Sequence, residues 1–193
     1  LDFTDNMPAT VQVAATPNAS ATCTGGTLTA TAGTSTITYT GGTVAAGASC
    51  TVSVDVTSTN VGSHTNTTGD LTSSSGNSGN ATDVLTAEPL PAFSKSFATS
   101  TLGLGQVTTL SFTIDNSASA LPANGLNFVD NLPAGIEANM AALNASIAAA
   151  CGGVLGTGTS LVNLSSANVA PGVICTYSID VVGTAVGTHV NTT

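Results

Sequence analysis

The chain has 193 residues, of which only 6% are charged, with one Lys or Arg against ten Asp and Glu and a formal net charge of −9. Neutralising phosphates takes a cluster of Lys and Arg, so this balance excludes nucleic acids and anionic membrane surfaces as partners recognised through charge. Disorder is excluded as well, because 41% of the residues are hydrophobic and Val, Ile and Thr are abundant.

In chain order, the opening "LDFTDNMPA" (1–9) is followed by "TLTATAG" and "TITYTGG", which read as hairpin arms separated by Gly-rich turns. In "CTVSVDV" (50–56), Cys50, Val52, Val54 and Val56 alternate with Thr51, Ser53 and Asp55. Such period-two alternation places one face of a strand on a core and the other in water. Then come "VGSHTNTT" (61–68) and, at 86–95, "TAEPLPAFSK", whose Pro89 and Pro91 mark a linker. "TLSFTID" turns Leu110, Phe112 and Ile114 inward. "LNFVDNLPA" (126–134) precedes the Ala-rich "EANMAALNASIAAA" (137–150), the one stretch where a turn or two of helix is expected. The chain closes on "CTYSIDV" (175–181), with Cys175, Tyr177, Ile179 and Val181 alternating with Thr176, Ser178 and Asp180, and on "VGTHVNTT" (186–193).

Three of these segments are echoes of earlier ones at a single offset of 125 residues (126 − 1, 175 − 50, 186 − 61). An offset held across separated segments marks an internal repeat. The predicted architecture is therefore all-β, two tandem antiparallel sandwiches covering residues 1–89 and 90–193. The first copy is expected to lack its opening strands, since "LDFTDNMPA" stands at its start while its twin lies well inside the second. The second is expected to lack its closing strand, because nothing after Thr193 corresponds to 69–88. The chain thus reads as a piece of a longer tandem array, completed by neighbouring sequence of the same chain or, alternatively, by a strand donated from another protomer. No run of 18 apolar residues and no leader-like segment is present, so any signal or anchor is expected outside these residues.

The four cysteines fall two per repeat at matching places. This favours a disulfide within each copy, Cys23 with Cys50 and Cys151 with Cys175, over metal ligation, for which there is no C-x-x-C pair. An oxidising, extracellular setting follows.

The string "FSKSFATSTLGLGQVTTLSFTIDNSASALPANGLNFVDNLPAG", the Cys-Gly-Gly, "CTYSIDV" and the closing "VGTHVNTT" resemble the Ig-like tandem repeats of very large bacterial surface proteins, which belong to conserved-repeat families of unknown function. The resemblance covers almost the whole chain. It implies Ig-like sandwiches displayed at the cell surface, with no enzymatic activity.

Lys95 is the sole Lys or Arg. In related pilin and adhesin sandwiches of the collagen-adhesin type, a first-strand Lys attacks a last-strand Asn beside a buried acid. The candidates for such an isopeptide are Lys95, Asn191 and, as the acid, Asp130 or Asp115; Asn66 and Asp5 hold the matching places in the first copy. The chemistry needs a desolvated neutral amine and a buried carboxyl that can take its proton. The competing account makes Lys95 a solvated strand residue and Asp130 a turn cap. Ca²⁺ on the "TDN" and "VDN" acids is a poorer reading, since two scattered acids per copy make a weak cage, and no metal or other cofactor is expected. His64 and His189 stand alone in their repeats, and no catalytic grouping recurs. Sequons at Asn18, Asn66, Asn80, Asn144, Asn163 and Asn191 are mostly the chance yield of an Asn- and Thr-rich chain.

Function is expected to be structural: an extracellular stalk, fibre or surface coat whose partners are adjacent repeats or protomers of the same protein. The alternative is an adhesin module that binds a host or cell-wall glycan or protein. The scarcity of aromatics, two Tyr and five Phe, weighs against glycan stacking.

Overall fold

Alternating apolar and polar residues become strand wherever a neighbouring strand is available, and every strand pairing is antiparallel. A computed structural model describes all of residues 1–193. Helix is confined to one 3-10 turn, and no helix is long and apolar enough to cross a membrane. The chain divides into two units, Leu1–Ala87 and Glu88–Thr193, against an expected break after residue 89.

In the first unit, β1 (Phe3–Asn6) pairs with β5 (Thr36–Thr43), which pairs with β4 (Thr24–Ala30), so "TLTATAG" and "TITYTGG" are the arms of one hairpin. Short two-stranded ladders join β2 (Val11–Val13) to β7 (Val56–Ser58), β3 (Ser20–Ala21) to β6 (Val52–Ser53), and β8 (Gly62–Thr67) to β11 (Thr82–Ala87). Another joins β9 (Thr72–Ser73) to β10 (Gly76–Asn77). The core is small: Met7, Val11, Val13 and Ile37 are buried, with Leu28, Ala30 and Val54 against them.

The second unit holds β12 (Ala92–Phe97), β13 (Val107–Asp115), β14 (Ala123–Asn131), β15 (Ile136–Ala138), β16 (Ala145–Ile147), β17 (Val154–Gly158), β18 (Leu161–Val169) and β19 (Ile174–Gly183). One sheet runs β12-β13-β19-β15, with β16 also on β19, and the other runs β14-β18-β17. Leu110, Phe112, Tyr177, Ile179 and Val181 from the first sheet and Val162, Leu164, Ala167 and Val169 from the second share one buried cluster. Phe128 lies between Phe93 and Phe112, with ring centroids 5.2 Å and 4.6 Å away, which ties β12 and β14 to the same core.

The repeat is visible in the registers. Asp5 faces Ile37 as Asp130 faces Val162, and Val11 faces Ser58 as Ile136 faces Gly183, each pair shifted by the same 125 positions. The units differ in what flanks these common strands. β12 and β13 have no counterpart in the first unit, where β6 and β7 carry a partner on one side only. Tyr177, Ile179 and Val181 are therefore buried, whereas Val52 and Val54, at the matching places, are half-buried and Val56 is exposed. Conversely, "GSHTNT" is strand β8 because β11 pairs with it, while "GTHVNTT" has no such partner and forms no strand. Asn191 consequently lies outside any strand, contrary to its expected place on a last strand.

The Ala-rich segment corrects a second expectation. Residues 137–150 form the end of β15, a 3-10 turn at Met140–Ala142 and β16, with no α-helix. The ten-residue β19 offers a row of backbone donors and acceptors along one edge, and Ile136–Ala138 and Ala145–Ile147 satisfy it. Tertiary hydrogen bonding outweighs the high helix propensity of alanine, which is a weak determinant beside tertiary context.

Both expected disulfides are present, Cys23–Cys50 and Cys151–Cys175, closing sequence separations of 27 and 24 residues. Loops of this size imply about 3 kcal/mol each from restricting the unfolded chain. Replacing Cys151 and Cys175 with Ala should lower the stability of the second unit by that amount, read as faster amide hydrogen exchange at β18 and β19. Unchanged exchange there would show that packing alone holds the unit.

Candidate functional site

Asp130 sits near the end of β14, where the alternation that exposes Val129 and Asn131 turns its own side chain to the interior. Its side chain has no exposed surface. An isolated buried carboxylate is costly, so it must be matched by donors. Three are supplied, from segments far apart in sequence. Lys95 Nζ on β12 donates to Asp130 Oδ1 at 2.9 Å, Asn191 Nδ2 donates to Oδ2 at 2.7 Å, and Thr193 Oγ1 donates to Oδ1 at 2.9 Å. The Lys95 side chain is itself only 15% exposed. It is thus a partly buried ion-pair member and not the solvated strand residue of the competing account. Asn191 Oδ1 is buried without a partner.

Of the four sequence candidates, Lys95, Asp130 and Asn191 come together and Asp115 does not. Asp115 lies opposite Ala92 at the other end of the ladder from β12 to β13, whereas Lys95 lies opposite Phe112. The hydroxyl of Ser117, and then its backbone N–H at 2.8 Å, hold the Asp115 carboxyl below the usual carboxylate range. Thr193 was not singled out from the sequence. Its counterpart Thr68 bonds elsewhere, accepting from the Ala81 N–H at 3.0 Å, so the repeat gave no signal for it.

The first unit holds the same pair without the lysine. Asp5 is buried and accepts from Asn66 Nδ2 at 2.8 Å through Oδ2, while its Oδ1 and Asn66 Oδ1 have no partner.

The recurring histidines anchor the segments that carry the asparagines. His64 Nε2 lies 2.9 Å from Asn60 O, and His189 Nε2 lies 3.1 Å from Ala185 O, the same four-residue reach in each copy. In the first unit Thr10 Oγ1 meets His64 Nδ1 at 3.0 Å. The matching position in the second unit is Gly135, and the His189 ring rests directly on it. Gly135 also has φ +96°, a backbone conformation that L side chains rarely adopt. No group of three His, Cys, Asp or Glu side chains that could hold a metal is assembled.

The family described as a domain of unknown function, DUF7933, matches residues 1–87 and again 91–193. Among curated proteins, nothing matches the chain.

Gly135→Ala should destabilise the second unit by about 1–3 kcal/mol through backbone strain alone, and its Cβ, 2.3 Å from the His189 ring, should displace the segment 184–193. Adding His189→Ala should remove that clash, while the strain stays and the bond to Ala185 O is lost. Hydrogen exchange at the Thr184 amide, which bonds Gly135 O at 2.8 Å, reads the difference.

Proposed function

Since the chain belongs to the DUF7933 family over both of its units, we propose that it is an extracellular structural protein, an array of Ig-like sandwiches displayed at a cell surface as a stalk, fibre or coat. The observation that carries this reading is one strand framework built twice in identical register, each copy stapled by its own disulfide. Repeated units that bury their own cores gain length by addition, and the disulfides suit an oxidising compartment. A surface with few charges removes repulsion between neighbours and permits close lateral packing. Electron microscopy of the purified protein tests this: fibres with an axial repeat of one or two sandwiches are expected. Dispersed particles together with a specific hit on a glycan array would instead favour an adhesin module.

We further propose that Lys95 and Asn191 form an amide that locks the second unit. Proton transfer within the pair gives a neutral Lys95 amine and a protonated Asp130. The amine attacks Asn191 Cγ and the Nζ–Cγ bond forms; Asp130 gives its proton to Nδ2 and takes one from Nζ, and the Cγ–Nδ2 bond breaks, leaving a neutral amide, ammonia and a protonated Asp130. The driving force is the removal of a largely buried ion pair in favour of neutral groups. An intact mass lower by one ammonia, surviving reduction and abolished by Lys95→Arg or Asn191→Ala, is expected. A mass short only of the four cysteine hydrogens would overturn the bond.

A further inference from the structure

The first unit contains a groove of about 470 Å³, lined by Phe3, Val52, Val54, Val56, Asp5 and Asn66 among others. An apolar trough is common enough on its own. This one contains a buried acceptor, Asp5 Oδ1, that no group in the chain satisfies; Asn66 Oδ1 is unpartnered too, but so is its twin Asn191 Oδ1 in the second unit. A buried acceptor that is satisfied in one copy and orphaned in the other points to a missing donor.

The second unit shows what the donor is. At the place equivalent to Asp5 Oδ1, Asp130 Oδ1 receives Lys95 Nζ from β12. At the place equivalent to Val52, Tyr177 pairs with Phe112 of β13, which in turn pairs with Lys95. At the place equivalent to Phe3, Phe128 meets Phe93, two residues before the lysine, with ring centroids 5.2 Å apart. The acceptor Asp5 Oδ1, the strand edge and the aromatic platform are thus all present in the first unit, and a hairpin that uses them is not.

We propose that this groove seats a lysine-bearing β-hairpin of the Ala92–Asp115 type. Its second strand pairs along β6 and β7, and its first strand delivers the ammonium to Asp5. The occupant is a hairpin of that chemistry other than the β12–β13 hairpin of a second copy, because that hairpin is already held by Asp130 and by the buried Phe112 in its own unit. The inference rests on the equivalence of the two units and is independent of whether Lys95 and Asn191 become covalently joined.

The test uses the full chain and a fluorescent peptide with the sequence of residues 92–115. Saturable one-to-one binding is expected, with backbone NMR shifts at Val52, Val54 and Asp5. A peptide carrying the Lys95→Met change should bind more weakly by on the order of tenfold or more, the loss of a charged hydrogen bond to a buried acid. Asp5→Asn in the chain should erase the difference between the two peptides. Absence of saturable binding, equal binding of both peptides, or shifts centred on β19 through exchange into the second unit would each overturn the proposal. So would dimerisation of the chain alone through the groove, which would make a second copy the occupant.

Discussion

A carboxylate with no exposed surface has to be neutralised, and in the second unit that requirement draws together three segments far apart in sequence. Asp130 on β14 is met by Lys95, 35 residues earlier, and by Asn191 and Thr193, 61 and 63 residues later. The lysine arrives on the edge strand of one sheet and the acid on the facing sheet, so the contact closes the sandwich where the apolar cluster ends. Asn191 and Thr193 hold a segment that has no strand partner. Exchanging this polar contact for apolar packing need not lower stability, since buried ion pairs are often matched by well-packed hydrophobic residues. What the polar contact adds is directionality: only one register of β12 places an ammonium at Asp130.

Flanking strands decide how the same words behave. Val52, Val54 and Val56 carry the alternation of Tyr177, Ile179 and Val181 yet remain partly in water. Fully burying a valine is worth roughly 1.5–3 kcal/mol, so the first unit leaves a substantial part of its apolar surface unused. An edge with unpaired backbone groups is also a template for further strands. These two deficits coincide with the unpartnered oxygen of Asp5, in the lining of one groove.

Much of this was legible in the sequence. The fixed offset gave the repeat, period-two alternation gave β13 and β19, and matched cysteines gave both disulfides. Lys95 and Asp130 could be named because the resemblance to collagen-adhesin-type sandwiches asks for a first-strand lysine and a nearby acid, and Lys95 is the sole Lys or Arg. Three things were not legible, each for a physical reason. The Ala-rich 137–150 looked helical because local propensity carries no information about the open edge of β19. Asp115 stood beside Asp130 because spacing in sequence does not give the distance to Lys95, which lies three pairs further along the ladder from β12 to β13. Thr193 escaped notice because its twin Thr68 points its hydroxyl at a neighbouring strand that the second unit lacks.

The solitary cation has one more consequence. Trypsin-like proteases cut only after Lys or Arg, and in these 193 residues Lys95 is the one such position. Its side chain is engaged with Asp130, and its backbone lies in β12, paired with β13. A protease needs an extended, accessible stretch of chain in its cleft, and exposed loop tips are where nicking concentrates. The loops here are rich in Gly, Ser, Thr and Asn and carry neither Lys nor Arg. While folded, the chain offers trypsin-like enzymes no loop to cut, so the composition that leaves its surface almost without positive charge also makes that surface resistant to a common class of extracellular digestion.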